Sequence, residues 1–243
     1  MYSDTLFIFT KATYFDRSIM SKTYAQLGQD TYVLNQIYNG KKDGFYVDVG
    51  AYDGKELSNT LLLQQNGWSG ICIEPNPNAF KRLKNLRKRR VTNVKYAVYS
   101  KSGLTFEFSD ANMLSGITHC LDKYKDLQGM SEAPKYKVKT KTLTDILNDN
   151  NAPTYIEYLS IDTEGSEMHV LQGIDFEKYT FGFINIEHNY VEPRRSEMRS
   201  FLKDHGYMYH RENNWDDDYI HKPLHKEITA KKSTETISPN AVL

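Results

Sequence analysis

The 243-residue sequence contains only two cysteines, Cys72 and Cys120, too few for a disulfide framework. Cys72 falls inside an apolar run and reads as a small, reduced core residue, which points to a reducing, cytoplasmic setting. Long hydrophobic runs are absent as well. The longest one near the N-terminus covers residues 6–9, too short for a signal-peptide core and without a basic lead-in. No stretch approaches the roughly 20 apolar residues that span a bilayer, so a soluble protein with no membrane span is expected. An excess of charge is missing too. Lys plus Arg and Asp plus Glu number 31 each, and that balance names no polyanionic partner. Internal repeats and an interdomain linker are lacking. One domain is therefore expected over residues 24–222, with an N-terminal arm at 1–23 and a polar, loosely held tail at 223–243.

What is present is a globular composition, 39% hydrophobic and 13% aromatic, sufficient to bury a core in a chain of this length. Strands are expected at 45–49, 70–74 and 93–98, with helices at 58–65 and 79–88 between them. That alternation predicts an α/β fold: a Rossmann-like, mostly parallel central sheet with helices on both faces. A short helix is read at 29–38, strands at 104–108, 135–141, 155–161 and 181–187, and helices at 143–148, 166–172 and 194–205. Runs at 207–212 and 218–221, joined through Asn213-Asn214, predict a closing C-terminal antiparallel hairpin.

Four segments carry chemistry. In FYVDVGAYDG (45–54) an apolar strand delivers Asp48 and Gly50 to its carboxyl end, then turns through Ala51, Tyr52 and Asp53 to Gly54. Ligands of open α/β sheets bind at that edge, and glycines let the backbone come close to them. The pattern is not G-x-G-x-x-G, which disfavours a dinucleotide and suits a cofactor with an amino-acid end. In CIEPNP (72–77), Glu74 ends the second strand about 20 residues on, where an acid can accept hydrogen bonds from ribose hydroxyls. LSIDTEGSEMHVLQG (159–173) places Asp162 at the end of another strand, with Glu164 in the loop and Gly165 at the turn. Glu167 reads as a helix-start residue that complements the helix dipole. INIEHNY (184–190) ends a fifth strand with Glu187 and His188. Asp162, Glu164, Glu187 and His188 gathered in one cleft could deprotonate a hydroxyl. Asp162 and Glu187 could alternatively hold Mg²⁺ or another divalent cation.

Taken in order, AQLGQD (25–30), FYVDVGAYDGKELSNT (45–60), GWSGICIEPNP (67–77), LSIDTEGSEMHVLQG and INIEHNY resemble the FkbM family of methyltransferases, over about residues 24–210. The resemblance implies a class I methyltransferase fold, S-adenosylmethionine (SAM) as methyl donor, and transfer to oxygen, often a sugar hydroxyl or a glycosylated small molecule. It carries the cofactor role onto Asp48, Gly50, Asp53 and Glu74, with Pro75 and Asn76 beside the adenine, and makes the third and fourth segments the acceptor side.

Two other readings compete. KRLKNLRKRR (81–90) could bind phosphates, which would suit an RNA cap or ribose 2′-O-methyltransferase. Phe80, Leu83 and Leu86, however, fall on one stripe, which makes the charges the solvated outer face of a helix and a nucleic-acid acceptor the weaker reading. A binding module that has lost its chemistry would show erosion at the cofactor loop or at Glu74, and neither is eroded.

Overall fold

Strands that are apolar on both faces belong inside a parallel sheet, because helices cover both of its sides. Phe45–Val49 (β1) and Tyr155–Ile161 (β8) have this pattern and lie side by side at the centre of the sheet. The computed structural model describes residues 23–121 and 130–236, so most of the expected N-terminal arm and residues 237–243 lie outside the described residues. Before β1 comes α1 (Gln29–Tyr32), continued by a π-helical turn, Val33–Ile37. After it come α2 (Leu61–Gln65), β2 (Ser69–Ile73), α3 (Pro77–Leu86) and β3 (Val91–Val94). A small second sheet follows: β4 (Ala97–Val98), β5 (Thr105–Ser109), β6 (Gly116–Ile117) and β7 (Lys135–Lys141), in the order β4-β7-β5-β6. The chain then returns to the main sheet through α4 (Leu143–Asp149), β8, α5 (Glu167–Gln172), β9 (Thr180–Glu187) and α6 (Arg194–Asp204). It ends in β10 (Tyr207–Asn213), β11 (Asp216–His221) and α7 (Lys222–Thr236).

The main sheet has seven strands in the order β10-β11-β9-β8-β1-β2-β3. β1, β2, β3, β8 and β9 pair in parallel, whereas β11 inserts antiparallel between β9 and β10. This is the expected Rossmann-like architecture, a mostly parallel sheet with helices on both faces and a closing antiparallel hairpin. One face packs on α4, α5 and α6 through Leu143, Ile146, Val170, Leu171, Met198 and Leu202. The other packs on α1, its π-helical extension, α2 and α3 through Val33, Leu34, Ile37, Leu63 and Leu83.

The structure departs from expectation in several places. The run 93–98 divides: the chain bends at Tyr96, β3 stays in the main sheet, and Ala97 pairs with Thr140 of the second. The helix expected from residue 58 starts at Leu61, because the Ser58 hydroxyl accepts hydrogen bonds from the Thr60 and Leu61 amides and holds a turn there. The segment expected as a loose tail forms α7, with Leu224 and Ile228 packed on the second core face. In α3, Leu83 and Phe80 face the core as expected, but Leu86 is 46% exposed while Arg87 just beyond is fully buried.

Arg87 repays its burial with hydrogen bonds. It donates to the Gly54 carbonyl at 2.7 Å, the Tyr46 hydroxyl at 2.9 Å, the Thr60 hydroxyl at 2.7 Å and the Ser58 hydroxyl at 3.2 Å. Thr60 in turn donates to the buried Asp48 carboxylate at 2.5 Å, so a cation and an anion share one hydroxyl beneath the loop that follows β1. Truncation leaves these acceptors buried without a donor. Arg87→Met should lower stability by about 3 kcal/mol, whereas Lys88→Met, at an exposed position, should change it by less than about 0.5 kcal/mol. Urea unfolding of the two variants tests this, and coincident curves would contradict it.

Candidate active site

Parallel strands bring all their carboxyl ends to one edge, and a ligand site forms where neighbouring connections leave in opposite directions. Here that place lies between β1 and β8, since the chain runs from β1 outward to β2 on one side while β9 lies on the other. The two loops are pressed together. Gly50 has φ +92°, and a Cβ on it would sit 1.7 Å from the Asp162 carbonyl oxygen, so no other residue fits. The Gly50 and Ala51 amides donate to the Ile73 carbonyl, and the Asp162 amide donates to that of Val49, which ties β1, β2 and β8 at their tips.

On one side of this contact lies a slot with about 30 Å³ of free space, lined by Val49, Gly50, Glu74, Pro75, Phe108 and Ile117 among others. Glu74 is buried at its edge and accepts hydrogen bonds from the Tyr52 amide at 2.9 Å and the Asn76 amide at 2.7 Å. Each carboxylate oxygen keeps a second lone pair for a ribose hydroxyl. Apolar side chains beside a buried acid at the end of the second strand are the chemistry that an adenosyl group calls for.

The other expected cofactor residues shape this loop from outside the slot. Asp48 lines neither pocket of the site and is turned onto Thr60. Asp53 accepts from the Lys55 and Glu56 amides, and Tyr52 stacks under Arg82, 5.1 Å from its ring centre. Gly54 packs where a Cβ would meet Leu83 and Arg87 at 2.6 and 2.7 Å. Asn76 caps α3 by accepting from the Asn78 and Ala79 amides, with Pro77 in the first helical turn.

On the other side of Gly50 and Asp162 opens a cleft of about 340 Å³. Gln29, Asn59, Glu164, Glu187, Trp215 and Asp216 line it, and among the described residues none of its lining side chains is basic. Glu164 reaches it through a left-handed turn, φ +56°, followed by Gly165 at φ +121°. Glu167 holds that loop: its Oε1 accepts from the Thr163 amide, the Thr163 hydroxyl and the Gly165 amide, the helix-start role expected of it.

One carboxylate oxygen from each of Asp162, Glu164 and Glu187 can lie within 4.8 Å of the others. Two unit charges that close repel by roughly 3–4 kcal/mol at an effective dielectric of about 20. Asp162 is exposed at the cleft, and Glu187 is buried. Loss of water around the group first, then the neighbouring acids, hold the Glu187 carboxyl well above the usual carboxylate range and raise that of Asp162 as well. Asp216 is pushed up to about 6 by burial, against hydrogen bonds from Gln29 and Asn185.

His188 does not join this group. It is fully buried, its Nδ1 accepts from the Tyr190 amide, and its Nε2 lies 3.4 Å from Asp217 Oδ1, away from the residues that line the cleft. The expected acid–histidine constellation is thus an all-acid one. Sequence reasoning missed Gln29, Asn59 and Asp216. Gln29 and Asn59 stand within quoted motifs, but nothing local marks their side chains as lining a cleft.

The sequence profile of the Methyltransferase FkbM domain matches residues 48–209, two thirds of the chain. The chain belongs to this family. Among solved structures, the chain is similar to the methyltransferase FkbM from Methylobacillus flagellatus KT, at 16% identity and TM-score 0.47 over 74% of this chain and 44% of that one. It therefore spans less than half the length of that relative. It is also similar to precorrin 8W decarboxylase from Methanobacterium thermoautotrophicum (14% identity, TM-score 0.44, 79% of this chain and 87% of that one). Magnesium protoporphyrin IX methyltransferase from Synechocystis, with SAM bound, is another neighbour (10% identity, TM-score 0.39, 80% and 78%). No curated protein matches the chain.

Burial pushes the Glu74 carboxyl up to about 8, against the pull of the Asn76 and Tyr52 amides. The folded chain therefore keeps a proton that the unfolded chain releases near the ordinary value of 4.5. Stability from this group is whole below about pH 4.5 and is lost as the pH rises through about 8. Over that window the wild-type chain should lose stability relative to its Glu74→Gln variant. Urea unfolding at several pH values measures this; parallel pH profiles for the two proteins would refute it.

Proposed function

We propose that the chain is a SAM-dependent O-methyltransferase acting on a hydroxyl of a sugar or glycan. The observation that carries this reading is the meeting of two unlike pockets at Gly50 and Asp162: an apolar slot with a buried acid, and a polar, acid-lined cleft. SAM supplies an already activated methyl on a positively charged sulfur. What remains for the protein is alignment and removal of the acceptor proton. Glu74 accepts the ribose hydroxyls, and Gly50 lets the β1 and β8 loops close up so that both pockets share Gly50 and Asp162 as lining. Asp162 lines both pockets and is the carboxylate best placed to take the proton. Gln29, Asn59 and Asp216 offer hydrogen bonds to neighbouring hydroxyls.

An acceptor rich in phosphate would meet several acids and no base among these residues, which favours a neutral polyhydroxylated acceptor over RNA. The basic helix α3 does not change this balance, since Arg87 is used internally and none of its exposed charges lines the cleft. No helix among the described residues is long and apolar enough to cross a membrane. Cys72 and Cys120 are buried thiols that form no disulfide among the described residues, and on that ground we place the protein in a reducing, cytoplasmic compartment.

Calorimetric titration with S-adenosylhomocysteine should show binding that Glu74→Ala weakens about tenfold, or about 1.4 kcal/mol. NAD should not bind. A folded sample that fails to bind S-adenosylhomocysteine would overturn the assignment in favour of a binding module on the same fold.

A further inference from the structure

Proton removal needs one carboxylate, and the cleft assembles three. Asp162 comes from the end of β8, Glu187 from the end of β9, and Glu164 from the left-handed turn between β8 and α5. Their backbone positions are fixed independently, by the parallel pairing of Ile161 with Ile186 and by the hold of Glu167 on the loop. They nonetheless converge to within 4.8 Å. A second observation points to what they face. Glu187 is 7% exposed, and its Oε2 is buried with no hydrogen-bond donor. A buried, unpartnered carboxylate oxygen among acids is the arrangement that a cation satisfies.

We infer that Asp162, Glu164 and Glu187 form a binding site for a hard divalent cation of the Mg²⁺ class at the acceptor end of the cleft. The donor set is oxygen only, which suits Mg²⁺, Ca²⁺ or Mn²⁺ and not the nitrogen and sulfur chemistry of zinc. The other acid group within reach of His188 makes an instructive contrast. His188, Glu212 and Asp217 also come within 4.8 Å, but the Arg195 guanidinium already donates to both Glu212 and Asp217, so a cation occupies that position. No basic side chain plays this part among the cleft-lining residues around Glu187.

Three monodentate carboxylates leave about three positions of an octahedral Mg²⁺ for water or acceptor. Two adjacent hydroxyls of a neutral sugar can fill a pair of them. A vicinal diol is therefore the acceptor class that the site selects, and an anionic acceptor is disfavoured by the one negative charge left over. The cation also makes a coordinated hydroxyl more acidic, which eases proton removal. The acceptor class rests on the methyltransferase reading; the cation site itself does not.

The test uses the full chain, stripped with a chelator and titrated with Mg²⁺, Mn²⁺ and Ca²⁺, with free Mn²⁺ followed by its electron paramagnetic resonance signal. Saturable binding of one cation per chain is expected, with a rise in the thermal midpoint, and Glu187→Gln should weaken it by at least about tenfold. Unfolding of the metal-free variant checks that Glu187→Gln still folds. No saturable binding by the wild type, or binding that Glu187→Gln leaves unchanged, would overturn the site. S-adenosylhomocysteine titrated in chelator separates the two inferences. If it binds while the cations do not, methyl transfer stands and the cation site falls; the opposite pattern supports the cation site and removes the methyltransferase reading.

Discussion

The organisation of the molecule depends on one close approach, that of Gly50 to the carbonyl of Asp162. It sets the distance between the loops leaving the two central strands, and thus how close the slot and the cleft lie to each other. Any side chain at residue 50 would push Asp162 away from the tip of β1, to which its own amide is bonded. Gly50 and Asp162 line both pockets, so the same contact places the slot and the cleft relative to each other.

A second layer of constraint lies under the cofactor loop. Asp48 stands one residue from the end of β1, yet it serves the opposite face of the sheet, where Thr60 joins it to Arg87. The loop from Gly50 to Thr60 is thereby held from below by a buried polar network and from above by Glu74, which receives the Tyr52 amide. Most of the residues that resemble a cofactor motif maintain the shape of the loop, and few of them face the slot. A sequence motif records both duties without distinguishing them.

How much was legible in the sequence follows from what makes a residue's role local. β1, β7 and β8 begin and end where their apolar and β-branched patterns do, because burial on a sheet is written into the alternation itself. α3 starts earlier than expected, at Pro77, since its cap is Asn76 and not a helix former. Asp216 and Asp217 extend β11 against their poor strand propensity. Asp217 is held there by Arg195 and Arg199 and Asp216 by Gln29 and Asn185, partners far away in sequence. Arg87 looked like one more surface charge in a basic run, and only the tertiary positions of Gly54 and Tyr46 show otherwise. His188 follows Glu187 directly, yet it faces Asp217 while Glu187 faces the cleft, and no local pattern states which neighbour is used.

The insertion of β11 between β9 and β10 has a bearing on how the site comes into being. Asp216 pairs directly across from Glu187, so one wall of the acceptor cleft exists only when the late hairpin has folded back against a strand made earlier. The slot around Glu74 draws on residues 49–166 and needs no part of that hairpin. A chain that folds as it emerges from the ribosome, N-terminal portions first, therefore completes the slot before the cleft. Until the last strand slides into the sheet, the cleft stands open along the side that Asp216 and Trp215 will close.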